Sequence, residues 1–377
     1  MKIKCISINN FSIIPVTRYI INELSILYPT HVQEFSLRNQ YKYSNIQNYT
    51  SIGVFTNTTL FKNQSRFLKF KKYLFTIYKI VKDVFHTNKV VYYTPDFQVI
   101  FFLVVFKLLF KKKKWYVIYH QFEFIEHKYL GKIEARVFQF ILDHIECVNF
   151  CIFPEINRIE YFKSLVNKEF SYQLFPNTCY VNDDIDLTVP KELSNIPKNH
   201  VIIGHVGNLG ENHYLDFYIE LIEGCKNSFF TFVFIGRYSS NLLKRLKNID
   251  NNNIIIINEL PHSELKYFYN FMHYGVILYK GVDLNFEYCA PNKLYEYWSY
   301  GISIIAHSLI GLKSLDFSKN MGKLYNLENQ LSLVQIKEDL QNNTVNREIV
   351  KSEFVEKYDQ NLYINTIKTL VEKISMH

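Results

Sequence analysis

The stretch CAPNKLYEYWSYG, Cys289 to Gly301, combines residue types that could hold a phosphorylated ligand. Pro291 suits the first position of a helix, where its missing N–H costs nothing. Gly301 suits the left-handed residue just past a helix end. A helix N-terminus presents free N–H groups and partial positive charge, so it favours an anion. Asn292 and Glu296 are four apart, Lys293 and Glu296 three apart, so all three share one face. Such a helix could hold a diphosphate at its tip and a sugar hydroxyl on Glu296. An ordinary amphipathic helix with a surface Lys–Glu pair would explain the same residues without a ligand.

The elements that must position this helix are legible upstream. In residues 1–180 strand-like runs such as IKCISI, SIGVFT, VVYYT, WYVIYH and CVNFCIFP alternate with helical spacings such as PVTRYIINELSIL and GKIEARVFQFILDHI. This alternation predicts a parallel sheet covered by helices. Residues 181–199 are polar, carry two prolines and read as a linker. The alternation restarts over 200–345 with VIIGHVG, FFTFVFIG, NIIIIN, YGVILY and ISIIAH, and 346–377 reads as a terminal helix, expected to pack back toward the first domain. The expected class is α/β, two Rossmann-like doubly wound domains facing a cleft. In such sheets ligands sit outside the carboxyl ends of the strands. The informative loops are therefore GNLGEN, GRYSS, ELPHSE and KGVDLNFEYCAPNK.

HVGNLG, FIGRY, NELPHSEL and APNKLYEYWSYGISIIA, in that order, resemble the donor-binding half of GT-B glycosyltransferases, in particular family-4-type enzymes of bacterial surface-polysaccharide synthesis. YVIYHQFEF, FPEINR and FPNT are weaker upstream matches. The resemblance implies that Glu296 binds the donor ribose and that Ala290, Pro291, Asn292, Lys293 and Leu294 lie against the diphosphate. It implies close backbone approach at Gly207 and Asn208, and a cation at Arg237. It places His120 near the acceptor and the donor sugar, with catalytic roles for His120 and Glu296; Glu123 or Glu126 is a candidate base. It implies transfer with retention and no metal or other cofactor, the nucleotide sugar (UDP- or GDP-linked) being a substrate and the acceptor a glycan, in particular a lipid-linked one. Cations and helix N–H groups aimed at the leaving diphosphate are what that chemistry needs.

Several positions depart from the family pattern. The first of two acidic residues is expected at Tyr288, and Glu287 lies one place early. The first loop is NNFSIIP in place of a Gly-Gly turn, and in GENHYLD only His213 stands where a cation is expected. These departures keep open an inactive binding protein on the same scaffold, beside a nucleotide-sugar 2-epimerase. A dinucleotide oxidoreductase fits less well, because GHVGNLG lacks the G-x-G-x-x-G spacing.

The net charge of +8 favours anionic partners. SRFLKFKKYLF interleaves Arg66, Lys69 and Lys72 with aromatic residues, and Lys111, Lys112, Lys113 and Lys114 follow the apolar run Phe97–Phe110. Basic and aromatic residues together suit an anionic membrane surface; lysine stems lying over apolar surface are the plainer reading. No nucleic-acid-binding motif accompanies them. The apolar run has fourteen residues, too short to span a bilayer, and MKIKCISINN reads as a strand and not as a signal peptide. The expectation is a cytoplasmic protein, peripheral at the inner face of a membrane. The six scattered cysteines read as free thiols, and the acidic NDDID at 182–186 lies in the linker, poorly placed for a metal.

Overall fold

The computed structural model describes residues 1–9, 14–34, 46, 48–51, 66–86, 89–180, 188–226, 228–249, 253–342 and 344–376. The chain forms two compact units. The first comprises Met1–Pro176 with Asn361–His377, the second Asn177–Gln360.

The first unit holds β1 (Lys2–Ile6), β2 (Thr30–Glu34), β3 (Asn48–Ser51), β4 (Lys89–Thr94), β5 (Lys114–His120), β6 (Phe150–Phe153) and β7 (Tyr172–Leu174). They form one sheet in the order β3-β2-β1-β4-β5-β6-β7, and every pairing is parallel. Cys5 of β1 lies opposite Tyr93 of β4, and Tyr93 opposite Ile118 of β5. Both faces are covered, which is why β4 and β6 are apolar almost throughout. One face packs Ile3, Cys5, Val91, Tyr93 and Ile118 against helices Pro15–Leu27 and Asn361–Met376. The other packs Val90, Tyr92, Val117 and Tyr119 against helices Phe97–Leu109 and Lys132–Asp143.

The second unit holds β8 (Val201–Val206), β9 (Phe230–Ile235), β10 (Ile254–Ile257), β11 (Tyr274–Ile277), β12 (Ser303–His307) and β13 (Gly322–Tyr325). They form a parallel sheet in the order β10-β9-β8-β11-β12-β13. Helices Asn292–Ser299 and Arg347–Lys357 cover one face, and Leu215–Gly224 and Leu331–Asn342 the other. In its own numbering this is the doubly wound order 3-2-1-4-5-6, and the connections reverse direction between β8 and β11. That reversal opens a crevice at the carboxyl ends of those two strands.

The tail is not one helix over 346–377. Arg347–Lys357 belongs to the second unit and Asn361–Met376 to the first. The break comes at Tyr358, whose backbone leaves the helical region while its ring stacks on Trp298 at 5.2 Å. After it, Ile364, Ile367 and Val371 bury against the first unit's core, and Lys368 pairs with Glu23. Of the expected strand SIGVFT only Ser51 is described, as the last residue of β3. The linker stretch 181–187, with NDDID, lies outside the described residues. None of the six cysteines forms a disulfide. Among the described residues no helix is long and apolar enough to cross a membrane.

Candidate functional site

Helix Asn292–Ser299 begins one residue later than its sequence suggests. Pro291 is the N-cap, with φ −71° and ψ 152°, and its carbonyl accepts the Leu294 N–H at 2.9 Å. At the other end Gly301 takes φ +74°. Ile302 N–H donates to Tyr297 O and Gly301 N–H to Trp298 O, both at 2.9 Å, the Schellman pattern. A Cβ on Gly301 would lie 2.6 Å from the Arg347 carbonyl. The Arg347 guanidinium clamps this end, donating to the carbonyls of Tyr269, Asn270, Met272 and Tyr300. Tyr297 lies flat on Gly275 of β11, where any side chain would collide with its ring. The Trp298 indole donates to Met321 O at 2.8 Å. The helix is thus fixed at both ends and on its buried face.

That scaffold holds Glu296, which is only 8 % exposed. Its carboxylate accepts from the Tyr269 hydroxyl at 2.8 Å and from Lys293 Nζ at 2.5 Å, and lies 3.5 Å from His262 Nε2. Burial alone would raise its pKa; Lys293 and His262 outweigh that and hold it at about 2. Glu296 is therefore an anion at neutral pH. The Lys293 ammonium also donates to the Tyr269 hydroxyl at 3.1 Å. So the Lys–Glu pair is not an exposed surface pair. Leu294 is fully buried in the core, while Asn292 is half-buried at the helix start.

The loop after β8 begins with Gly207 at φ +129°, where a Cβ would meet nothing within 4 Å. Gly207 N–H donates to Ile235 O at 2.9 Å, and its carbonyl sits directly against Gly236 at the end of β9. Asn208 is exposed. Arg237 is exposed too, and its guanidinium pairs with Glu259 from the loop after β10. His213 accepts the Gly210 N–H at 3.2 Å, and its ring lies 4.7 Å from that of Tyr279. Burial, with Lys280 assisting, lowers its pKa. At neutral pH it is an uncharged ring, so it does not replace a permanent cation. Glu287 accepts the Ile310 N–H at 3.3 Å and lies against Gly281.

In the first unit the connections reverse in the same way between β1 and β4. Asp96, at the start of helix Phe97–Leu109, accepts Ile8 N–H at 2.8 Å, Asn9 Nδ2 at 2.7 Å and the Ser7 hydroxyl. Its carboxylate is thereby turned to the loop after β1 and makes no cap bond to its own helix, and burial raises its pKa. His120 ends β5 fully buried, its Nδ1 2.5 Å from the Tyr93 hydroxyl and its ring against Phe122 at 3.9 Å. Burial lowers its pKa to about 3, so it is neutral, and its Nε2 has no partner. Glu123 is exposed, whereas Glu126 is buried and pairs with Lys128 at 2.7 Å. Among the described residues no three His, Cys, Asp or Glu side chains gather to hold a metal ion.

The basic face also differs from its sequence reading. Lys72 is 4 % exposed, and its ammonium donates to Ile8 O at 3.1 Å. On helix Arg66–His86 it shares the inward face with Thr76, Ile80 and Asp83, one helical stripe. Phe70, Leu74, Tyr78 and Phe85 face outward, beside exposed Lys71 and Lys82. The side chains of Arg66 and Lys69 lie outside the described residues. Lys111, Lys112 and Lys114 are exposed, and Lys113 is half-buried.

Sequence reasoning assigned no role to Tyr269, His262, Glu259 or Asp96. Two of them, Glu259 and His262, lie in NELPHSEL, so the loop was identified but its partners were not.

No protein-family model and no curated protein matches the chain. Solved structures do. Anabaena HepE in complex with UDP superposes with a TM-score of 0.70 at 12 % identity, covering 99 % of this chain and 100 % of that one. Sucrose-phosphate synthase from Thermosynechococcus elongatus gives 0.69 at 13 % identity, covering 100 % and 99 %. The lipopolysaccharide outer core galactosyltransferase WaaB gives 0.67 at 12 % identity, covering 99 % of each. What this chain shares with them is the fold, that of the GT-B glycosyltransferases.

Proposed function

We propose that the chain is a glycosyltransferase whose second unit binds a nucleoside-diphosphate sugar, UDP- or GDP-linked, and whose product is an extended glycan. The observation that carries this is Glu296. It is a nearly closed carboxylate, kept ionised, one turn inside the helix Asn292–Ser299 that follows β11. An ionised carboxylate only accepts hydrogen bonds, and vicinal ribose hydroxyls donate two. One turn earlier lies the helix tip, which suits the phosphates. Gly207 leaves open space for them to approach the backbone.

As the glycosidic bond breaks, negative charge collects on the departing diphosphate. Cations and N–H dipoles already aimed there stabilise that state without reorganising. The protein's further task is to hold donor and acceptor in reacting geometry. In this reading transfer proceeds with retention, uses no resident cofactor, and serves a lipid-linked acceptor of a surface polysaccharide. The outward stripe of Phe70, Leu74, Tyr78 and Phe85 with Lys71 and Lys82 supports a membrane-borne acceptor, because it pairs apolar area with positive charge.

The test is donor turnover. The purified chain is incubated with a panel of UDP- and GDP-sugars and lipid-linked glycan acceptors, and released nucleoside diphosphate is measured. Release from one donor, accelerated by an acceptor, is the expected result. Conversion of a donor sugar to its epimer without acceptor or nucleotide release would overturn it.

A further inference from the structure

The loops that leave β8 to β11, with the first turn of the helix that follows, carry the permanent cations Arg237, Lys280 and Lys293. Two are already committed, Arg237 to Glu259 and Lys293 to Glu296. Lys280 has no carboxylate partner among the described residues. Its ammonium lies 5.8 Å from the centre of the Tyr214 ring, the outer limit of a cation–π contact.

Its backbone is nevertheless fixed. Lys280 N–H donates to Asn212 O at 2.9 Å, and Tyr214 N–H to Leu278 O at 2.8 Å. Between these bonds His213 and Tyr279 form an isolated bridge. The segment leaving β11 is thereby stitched to the loop leaving β8, across the point where the connections reverse. The same loop contains Gly207 and Gly210, each with open space where a Cβ would stand. Just before it, on β8, lies His205, 5 % exposed, whose Nδ1 has no partner and whose ring centre is 6.4 Å from that of His213. Both rings are held neutral by burial, so neither histidine supplies charge at neutral pH.

We propose that Lys280 binds the diphosphate of the nucleoside diphosphate, exchanging its contact with the Tyr214 ring for phosphate oxygens. Lys293 would take the nearest cation away from the buried Glu296 by leaving it, whereas Lys280 gives up only a ring contact. The inference rests on the donor-site reading above and names the cation that the reading requires.

The experiment is a calorimetric titration of the full chain with UDP, GDP, ADP and CDP and with the matching nucleosides. For the nucleotide that binds, Lys280→Met should weaken the diphosphate at least tenfold and leave the nucleoside within twofold. Lys280→Arg should recover most of the loss, and Lys280→Gln should behave as Lys280→Met, guarding against misfolding of one variant. Unchanged diphosphate binding by both neutral variants overturns the assignment of Lys280 alone. No binding of any of the four diphosphates by the wild type overturns the donor-site reading, and this inference with it.

Discussion

A carboxylate this deeply buried is costly unless its partners offset the lost water. Glu296 has three partners, and the balance keeps it ionised. Its folded pKa, about 2, lies below the ordinary glutamate value. The group therefore contributes stability that is complete above the unfolded value and disappears as pH falls toward 2, about 3 kcal/mol by the size of the shift. Urea unfolding of wild type and Glu296→Gln should show a gap at pH 7 that narrows between pH 5 and pH 3. A gap that does not change with pH would show that the charge is not what the site stabilises. Glu296 and Lys293 were legible because helical spacing puts them on one face. Tyr269 and His262 were not, since they come from the preceding βα connection and only tertiary packing brings them to Glu296. The burial of His120 was equally invisible, because the end of a strand can face solvent or core.

On the helix Arg66–His86 one expected surface cation, Lys72, is buried, while an apolar stripe faces outward. Interleaved basic and aromatic residues suggested a surface on which Arg66, Lys69 and Lys72 all face outward. Lys72 turns inward instead, and Phe70, Leu74, Tyr78 and Phe85 face outward. The buried ammonium is tolerated because it reaches the Ile8 carbonyl. The apolar stripe should lie at the headgroup boundary of an anionic bilayer, with Lys71 and Lys82 near the phosphates. Co-sedimentation with vesicles of acidic phospholipid should therefore fall at least fivefold in Phe70→Ser/Leu74→Ser. It should also fall for wild type on vesicles of neutral phospholipid. Binding indifferent to both changes would remove this face from the account. Other elements gave little signal. β2 is a mostly polar five-residue strand and β7 has three residues, too short for a period to show. The break at Tyr358 carries neither proline nor glycine, so the tail reads as one helix in sequence.

At the scale of the molecule the same doubly wound plan occurs twice, with different residues where its connections reverse. In the first unit the Asp96 side chain is tied to the loop after β1; in the second the corresponding loops carry glycine, a helix tip and cations. The open Gly207 loop and the helix tip are the physical grounds for proposing the donor site in the second unit. The alternation of apolar runs made the plan readable, because parallel strands buried on both faces cannot be polar. The ties from Asp96 to Ser7, Ile8 and Asn9 were not readable, since tertiary packing alone makes them. The second unit is one continuous segment with cores on both faces of its sheet. Residues 177–360 expressed alone should fold cooperatively and bind the same nucleoside diphosphate as the full chain, within about tenfold. Cooperative folding with no nucleotide bound would show that the second unit does not carry the binding site by itself.

The most direct test of the central claim is a thermal-unfolding screen of the full chain against UDP, GDP, ADP and CMP, with Glu296→Gln measured in parallel. A ligand at a hundred times its dissociation constant adds about 2.7 kcal/mol of stability. The account predicts a clear rise in melting temperature with one nucleoside diphosphate, lost in Glu296→Gln. An equal rise in wild type and variant would contradict the placement of the donor at Glu296, and no rise with any nucleotide would contradict the donor site itself.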